Sequence, residues 1–224
     1  MSENISLENC VMNCLGDSTV WGDNSQGTGG NEISWPTQIQ DFIRLREVRN
    51  YGRNGSRIAI TPDRDDSFVE RFDAMDDAAD LILVLGGVND FQHDVPMGPR
   101  DSTDPHCFTG ALHTLIPGLI RKYPRGRLFF LTPMKNDFVH PTKHYPNTFT
   151  PNRVGLVQAD YAAAIRSVCD EYSVPVIDMY ASSGISPFVA EQASLYMPDK
   201  LHYNRAGYRR LAARIAEALR PMQF

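Results

Sequence analysis

A three-layer α/β/α sandwich of about five parallel strands is the fold this sequence predicts, and two observations carry it. Strand-length runs recur that are apolar from end to end, the pattern of strands buried on both faces. Between them lie helix-like segments, and strict alternation of strand and helix marks a parallel sheet covered on each side.

The elements follow in order. Val11 to Leu15 (VMNCL) is the first strand, and Gly16-Asp17-Ser18 closes it with residues that suit a turning backbone. Trp35 to Leu45 reads as a helix and leads to a short second strand, Glu47 to Asn50. Ser67 to Met75 is the next helical segment, Leu81 to Leu85 (LILVL) the third strand, and Phe108 to Tyr123 the helix after it. Leu128 to Leu131 is the fourth strand and buries the Phe129-Phe130 pair. Val157 to Tyr172 is helical, and Val174 to Ile177 is the fifth strand. In the last helix, Asn204 to Leu219, residues Tyr208, Leu211, Ala212, Ile215 and Leu219 fall at helical spacing.

The 224 residues and a net charge of -5 suit one soluble domain with a full hydrophobic core. No block of like charge interrupts the mildly acidic balance, so the chain offers no electrostatic footprint for nucleic acid or an anionic membrane. The start, MSENISLENC, has no basic segment ahead of an apolar run, unlike a signal peptide, and no stretch approaches the roughly 20 apolar residues of a membrane span. A cytoplasmic protein is the expectation. Cys10 and Cys14, if they share a strand, lie on one face about 13 Å apart, too far for a disulfide. With Cys107 and Cys169 they read as reduced, buried thiols, and no paired Cys-x-x-Cys metal spacing occurs.

No repeat, low-complexity tract or linker divides the chain. Two connections are long, Asn89 to His106 and Pro133 to Arg153, and both follow strands. Loops of that length in a compact domain tend to be functional or mobile. The second mixes aromatics with two histidines and two lysines, which makes it a candidate substrate wall, lid or contact between subunits of a homo-oligomer.

In an open parallel sheet, the loops leaving the carboxyl ends of the strands gather on one rim, and ligands bind there. Gly16-Asp17-Ser18 follows the first strand, Asn50-Tyr51-Gly52-Arg53-Asn54-Gly55 the second, and Gly86-Gly87-Val88-Asn89-Asp90 the third. Asp199-Lys200-Leu201-His202 follows the fifth after a longer excursion and opens the last helix. Each piece alone is weak. Gly-Asp-Ser is ordinary turn chemistry, and Asp-x-x-His also occurs as Asp90-Phe91-Gln92-His93 and Asp137-Phe138-Val139-His140. Asp199-x-x-His202 is set apart by Asn204, which can cap the following helix and fix the backbone carrying His202. One short turn brings its carboxylate to the imidazole, and the tautomer so selected leaves the other nitrogen able to accept a serine proton. Asp90 competes less well because it adjoins Asn89, which has another duty; His93 and His140 remain rivals.

Other features stay bland. Gly22 to Gly30 lacks the Lys-Ser/Thr ending of a P-loop and the spaced glycines of a dinucleotide fingerprint. Arg53, Arg57, Arg64, Arg209 and Arg210 read as solvated or paired surface charges, with Arg53 close enough to the rim to touch substrate.

Taken together, the four blocks resemble those of the SGNH hydrolases, the GDSL-type esterases and lipases. Gly16-Asp17-Ser18 with Gly22 is similar to the nucleophile block, and Asn50-x-Gly52-x-x-Gly55-Ser56 to the glycine block. Gly87-Val88-Asn89-Asp90 is similar to the Gly-x-Asn-Asp block, and Asp199-Lys200-Leu201-His202 with Gly207 to the terminal Asp-x-x-His block, all in the family's order. The resemblance implies a flavodoxin-like α/β/α fold, one catalytic domain over residues 1–224, and ester hydrolysis with no metal or other cofactor. It makes Ser18 the nucleophile, His202 the general base and Asp199 its orienting partner. The oxyanion donors would be the backbone N–H of Ser18, that of Gly55, with Gly52 the alternative, and the side-chain amide of Asn89. Asp90 is then structural. Thr19 stands where the four-letter signature has leucine, which weakens assignment to the lipase-like branch without touching the triad. The expected substrate is a short-chain ester, acetyl first, on a small molecule or a carbohydrate. Lysophospholipid or thioester hydrolysis stands behind it, and a non-catalytic flavodoxin-like binding module is the rival of another class.

Overall fold

Strands β1 (Val11–Gly16), β2 (Glu47–Gly52), β3 (Leu81–Leu85), β4 (Arg127–Leu131) and β5 (Val176–Ile177) pair in parallel in the order β2-β1-β3-β4-β5. This is the flavodoxin-like order. It is seen in a computed structural model that describes residues 7–138, 140 and 142–220; residues 1–6 and 221–224, together with Val139 and Pro141 of the long second connection, lie outside the described residues. The helices are α1 (Ser18–Trp21), α2 (Trp35–Gln38), α3 (Phe68–Arg71), α4 (Val88–Gln92), α5 (Phe108–Lys122), α6 (Gln158–Glu171), α7 (Met179–Ser182), α8 (Ala190–Tyr196) and α9 (Arg205–Leu219).

Alternation along the strands divides the core into two. Leu81, Leu83, Leu85 and Leu131 join Met12 and Cys14 on one face and pack with Trp35, Ile39 and the Tyr208, Leu211 and Ile215 side of α9. Ile82, Val84 and Phe130 turn to the other face with Leu15, against Phe108, Leu112 and Leu115 of α5 and Tyr161 and Ile165 of α6. Burying each such leucine, isoleucine or phenylalanine contributes about 2 kcal/mol, which explains why the strands are apolar on both faces. All four cysteines are buried.

The register aligns Gly52 with Gly16, Gly16 with Leu85, Leu85 with Leu131 and Leu131 with Ile177. The strands therefore end together and deliver their following loops to one rim. Among the described residues, no helix is long and apolar enough to cross a membrane.

Several elements depart from the sequence reading. Trp35 to Leu45 is α2 followed by a 3-10 turn, Ile39–Asp41, and Ser67 to Met75 is α3 followed by another, Phe72–Ala74. Both segments carry branched or aromatic residues of modest helix propensity, so burial of Trp35, Ile39 and Phe68 decides their shape. The connection from Asn89 begins inside a helix, α4, and α7 and α8 fill the excursion after β5. Helices this short show too little periodicity to announce themselves. Arg57, expected at the surface, is only 4% exposed; its guanidinium is paired with Asp63 and hydrogen-bonded to Thr61.

Candidate active site

The first strand runs straight into the turn that carries Ser18. A Cβ on Gly16 would lie 2.1 Å from Val20 Cγ2 and 2.7 Å from the Leu85 carbonyl oxygen, so only glycine lets α1 fold back onto the strand end. Asp17 caps α1, its Oδ1 accepting from Thr19 N at 2.9 Å and Thr19 Oγ1 at 2.7 Å. Ser18 is thus the first residue of a helix, where the backbone N–H has no intrahelical acceptor. Gly22, at φ 98°, ends α1 in the left-handed region.

The second strand brings the glycine turn alongside. Arg53 N donates to Gly16 O at 3.0 Å, and Gly55 sits at φ 75°. The turn is fixed by Arg71 of α3, which donates to Gly16 O and Tyr51 O at 2.5 Å each, Asp66 O at 3.0 Å and Ser56 Oγ at 3.2 Å. Burial lowers the pKa of this guanidinium to about 10, so it stays charged at neutral pH. Replacing Arg71 with Met keeps much of the volume but takes the guanidinium from all three carbonyls, leaving Gly16 O to Arg53 N and Asp66 O to the Ser56 hydroxyl. The expected result is a loss of about 3 kcal/mol of stability, read from urea unfolding midpoints.

The third strand supplies Asn89. Its Nδ2 donates to Ser56 O at 3.1 Å, which places the amide beside the Gly55 turn, with a second N–H still to give. Asp90, next on α4, is fully buried and accepts from Ile58 N at 2.9 Å and Ala59 N at 3.0 Å. It clamps α4 to the segment after Ser56, and burial raises its pKa to about 6.

The last block closes the site. Asp199 Oδ1 accepts from Leu201 N at 3.0 Å and His202 N at 2.7 Å, while Oδ2 lies 2.7 Å from His202 Nδ1. His202 Nε2 in turn lies 2.9 Å from Ser18 Oγ. Asn204 caps α9, its Oδ1 accepting from Gly207 N at 2.9 Å. Lys200 holds the turn in the left-handed region at φ 63°, and its Nζ meets Asp137 Oδ2 at 2.6 Å, while Asp137 N donates to Lys200 O at 3.1 Å. The long second connection is thereby tied to the histidine turn, and Phe138 sets its ring 6.0 Å from that of His202, edge to face. Phe138 stacks on Tyr145 at 5.6 Å.

Charge sharpens the arrangement. Burial disfavours an imidazolium at His202, yet its hydrogen bond to Asp199 and the charges of Asp199, Asp23 and Asp17 outweigh it and raise its pKa. Burial works against the Asp199 carboxylate too, but the His202 partnership dominates and holds its pKa at about 2. Burial raises the pKa of Asp17, against the pull of its bonds to Thr19 and the charges of His202 and Arg71.

The rival pairs do not assemble. Both oxygens of Asp90 are taken by backbone N–H groups, and Asp137 is bound to Lys200 and to Asn147 Nδ2 at 3.1 Å. His93 instead faces Tyr145, ring centroids 5.4 Å apart, and His140 Nδ1 accepts from Thr142 N and Lys143 N. Beyond α4, a cleft of about 1060 Å³ is lined by Thr61, Gln92, His93, Tyr145 and Asn152 among others. Sequence reasoning missed Arg71, Asp23, Ser25 and Phe138. Asp23 and Ser25 lie in the glycine-rich stretch whose only sequence signal was turn chemistry. Ser25 Oγ donates to Asp199 Oδ2 and lies 2.8 Å from His202 Nδ1.

A flavodoxin-like sheet that gathers serine, histidine and aspartate on its carboxyl rim defines a class, the hydrolases of three-layer α/β/α architecture. Within it the chain belongs to the GDSL-like lipase/acylhydrolase family, whose sequence model matches residues 14–210. A solved structure 51% identical in sequence superposes with a TM-score of 0.94 and covers 98% of this chain and 100% of its own. The structure of a protein from Lactobacillus plantarum, 29% identical, gives a TM-score of 0.81 over 97% of this chain and 98% of that one. A carbohydrate acetylesterase family member from Sinorhizobium meliloti is 19% identical, with a TM-score of 0.66 over 96% and 99% of the two chains, and shares the fold. Comparison with curated protein sequences gives no match.

Proposed function

We propose that this protein hydrolyses short-chain acyl esters, acetyl esters first, through an acyl-enzyme on Ser18. The observation that carries the reading is the unbroken line of contacts from Ser18 Oγ to His202 Nε2 at 2.9 Å and from His202 Nδ1 to Asp199 Oδ2 at 2.7 Å. A serine hydroxyl is a weak nucleophile until a base takes its proton. In this reading His202 Nε2 accepts that proton as Ser18 Oγ bonds to the ester carbonyl carbon. The carbonyl oxygen then carries the negative charge, toward the N–H groups of Ser18 and Gly55 and the amide of Asn89. Collapse breaks the bond to the alcohol, and His202 returns the proton to the departing alcohol oxygen. Water repeats the sequence in reverse: His202 takes its proton, the hydroxide adds to the acyl carbon, and the acid leaves as Ser18 regains its hydrogen. Asp199 remains a carboxylate throughout, which its low pKa favours.

Two features support a polar alcohol as the other half of the ester. The neighbouring cleft presents hydroxyl, amide, imidazole and tyrosine groups, the chemistry that suits a sugar or another polyhydroxylated alcohol. The fold likeness to a carbohydrate acetylesterase family member points the same way. A fluorophosphonate probe should form a covalent adduct at Ser18, located by mass spectrometry of the digest. A non-catalytic binding module would take up no probe, and an adduct on another serine would displace Ser18 from its role.

A further inference from the structure

A carboxylate that belongs to none of the four blocks faces the reacting edge of the histidine. Asp23 Oδ2 lies 4.0 Å from His202 Nε2, the nitrogen turned to Ser18 rather than the one held by Asp199. Its position is built. Oδ1 accepts from Ser25 N at 2.8 Å, Oδ2 accepts from Asn54 Nδ2 at 3.0 Å, and the Asp23 carbonyl accepts from Tyr208 Oη at 2.6 Å. The side chain is 25% exposed, open enough to meet a ligand and shielded enough for its charge to be felt.

Of the other charged groups near this rim, the carboxylates reinforce Asp23 and two of the cations are already engaged. Asp17 and Asp199 carry the same sign, Arg64 is bound to Asp66 and the Asn54 carbonyl, and Arg71 is spent on main-chain carbonyls. Arg53 stands exposed on the turn beside Asn54. Phe138 offers an aromatic ring on the same histidine, a surface that accepts a cation more readily than an anion. Because Nε2 returns its proton to the leaving alcohol oxygen, the alcohol half of the ester must pass close to Asp23.

We propose that Asp23 determines which alcohol the site accepts: esters of alcohols bearing an ammonium group are favoured over neutral esters of the same shape, and esters bearing an anion near the scissile bond are rejected. The proposal rests on the reading of Ser18, His202 and Asp199 as an ester-hydrolysing site. The test compares kcat/KM for acetylcholine, for the uncharged dimethylbutyl acetate of matching shape, and for acetoxybutanoate. The wild type should rank them in that order, and Asp23→Asn, in which the amide oxygen can still accept from Ser25 N, should shrink the cation-to-neutral ratio about tenfold. In the wild type, that ratio should also fall as salt is raised, which reads the same charge without any substitution. A ratio unmoved by both Asp23→Asn and salt, or a wild type that prefers the anionic ester, overturns the proposal. Turnover of none of the three by the wild type would overturn the ester-hydrolase reading and the proposal with it.

Discussion

Ser18→Ala should lower kcat on a short acetyl ester such as p-nitrophenyl acetate by roughly 10^6-fold while changing stability by no more than about 1 kcal/mol. The two halves of that expectation have separate physical origins. In the proposed mechanism Ser18 Oγ is the atom that bonds to the acyl carbon, and the neighbouring hydroxyls are placed for other contacts: Thr19 Oγ1 is committed to Asp17, and Ser25 lies on the far nitrogen of His202. Structurally, the hydroxyl meets His202 Nε2 alone among the described residues, so its removal loses one hydrogen bond and leaves the turn built by Gly16, Asp17 and Gly22 intact. Residual turnover of about 10^3-fold over water should persist, because the oxyanion donors still receive the carbonyl oxygen. Steady-state kinetics and a thermal melt on the same preparation check both halves. Turnover that survives unchanged would remove Ser18 from the mechanism.

The parts of this molecule that the sequence made legible are those whose cause is local or periodic. Leu81 to Leu85 is apolar at every position because both its faces are covered, and that need is written residue by residue. The glycines at 16, 22, 52, 55 and 87 mark sharp turns and close approaches, and the three blocks they belong to meet on the rim the parallel order predicts. What stayed hidden depends on contacts between segments far apart in the chain. Arg71 joins the ends of β1 and β2 from a helix some twenty residues downstream of the turn it fixes, and an arginine in a short amphipathic helix carries no mark of that task. Arg57 looked like a surface charge because burial of a guanidinium requires a partner, and Asp63 is recognisable as that partner only once the loop is folded. Asp23 was passed over inside a bland glycine-rich stretch, although Asn54 and Tyr208, distant in sequence, hold it at the imidazole. Asp137 and Phe138 illustrate the opposite error. Their place in an Asp-x-x-His spacing kept His140 as a rival base, whereas the fold uses Asp137 to hold Lys200 and Phe138 to wall His202.

His202→Ala should cost about as much as Ser18→Ala, roughly 10^6-fold in kcat, and the double variant should be no worse than either alone, because the two side chains act as one unit. The pH profile gives the same histidine a second signature. A base must be neutral to take the Ser18 proton, so kcat/KM should fall tenfold per pH unit once the pH drops below the pKa of His202 in the free enzyme. That pKa is raised above the ordinary imidazole value of 6.5, since Asp199, Asp23 and Asp17 together outweigh the burial that opposes the charged ring. The acid limb should therefore begin above 6.5, and the enzyme should lose activity on the acid side earlier than a free histidine would dictate. Asp199→Asn removes the largest of the raising partners while burial remains, so the limb should move to lower pH, and kcat should fall by roughly 10^4-fold as the ring loses the tautomer that points a bare Nε2 at Ser18. An acid limb that stays in place in Asp199→Asn would detach it from His202. Equal losses on His93→Ala or His140→Ala, with His202→Ala still active, would move the base to one of those rings.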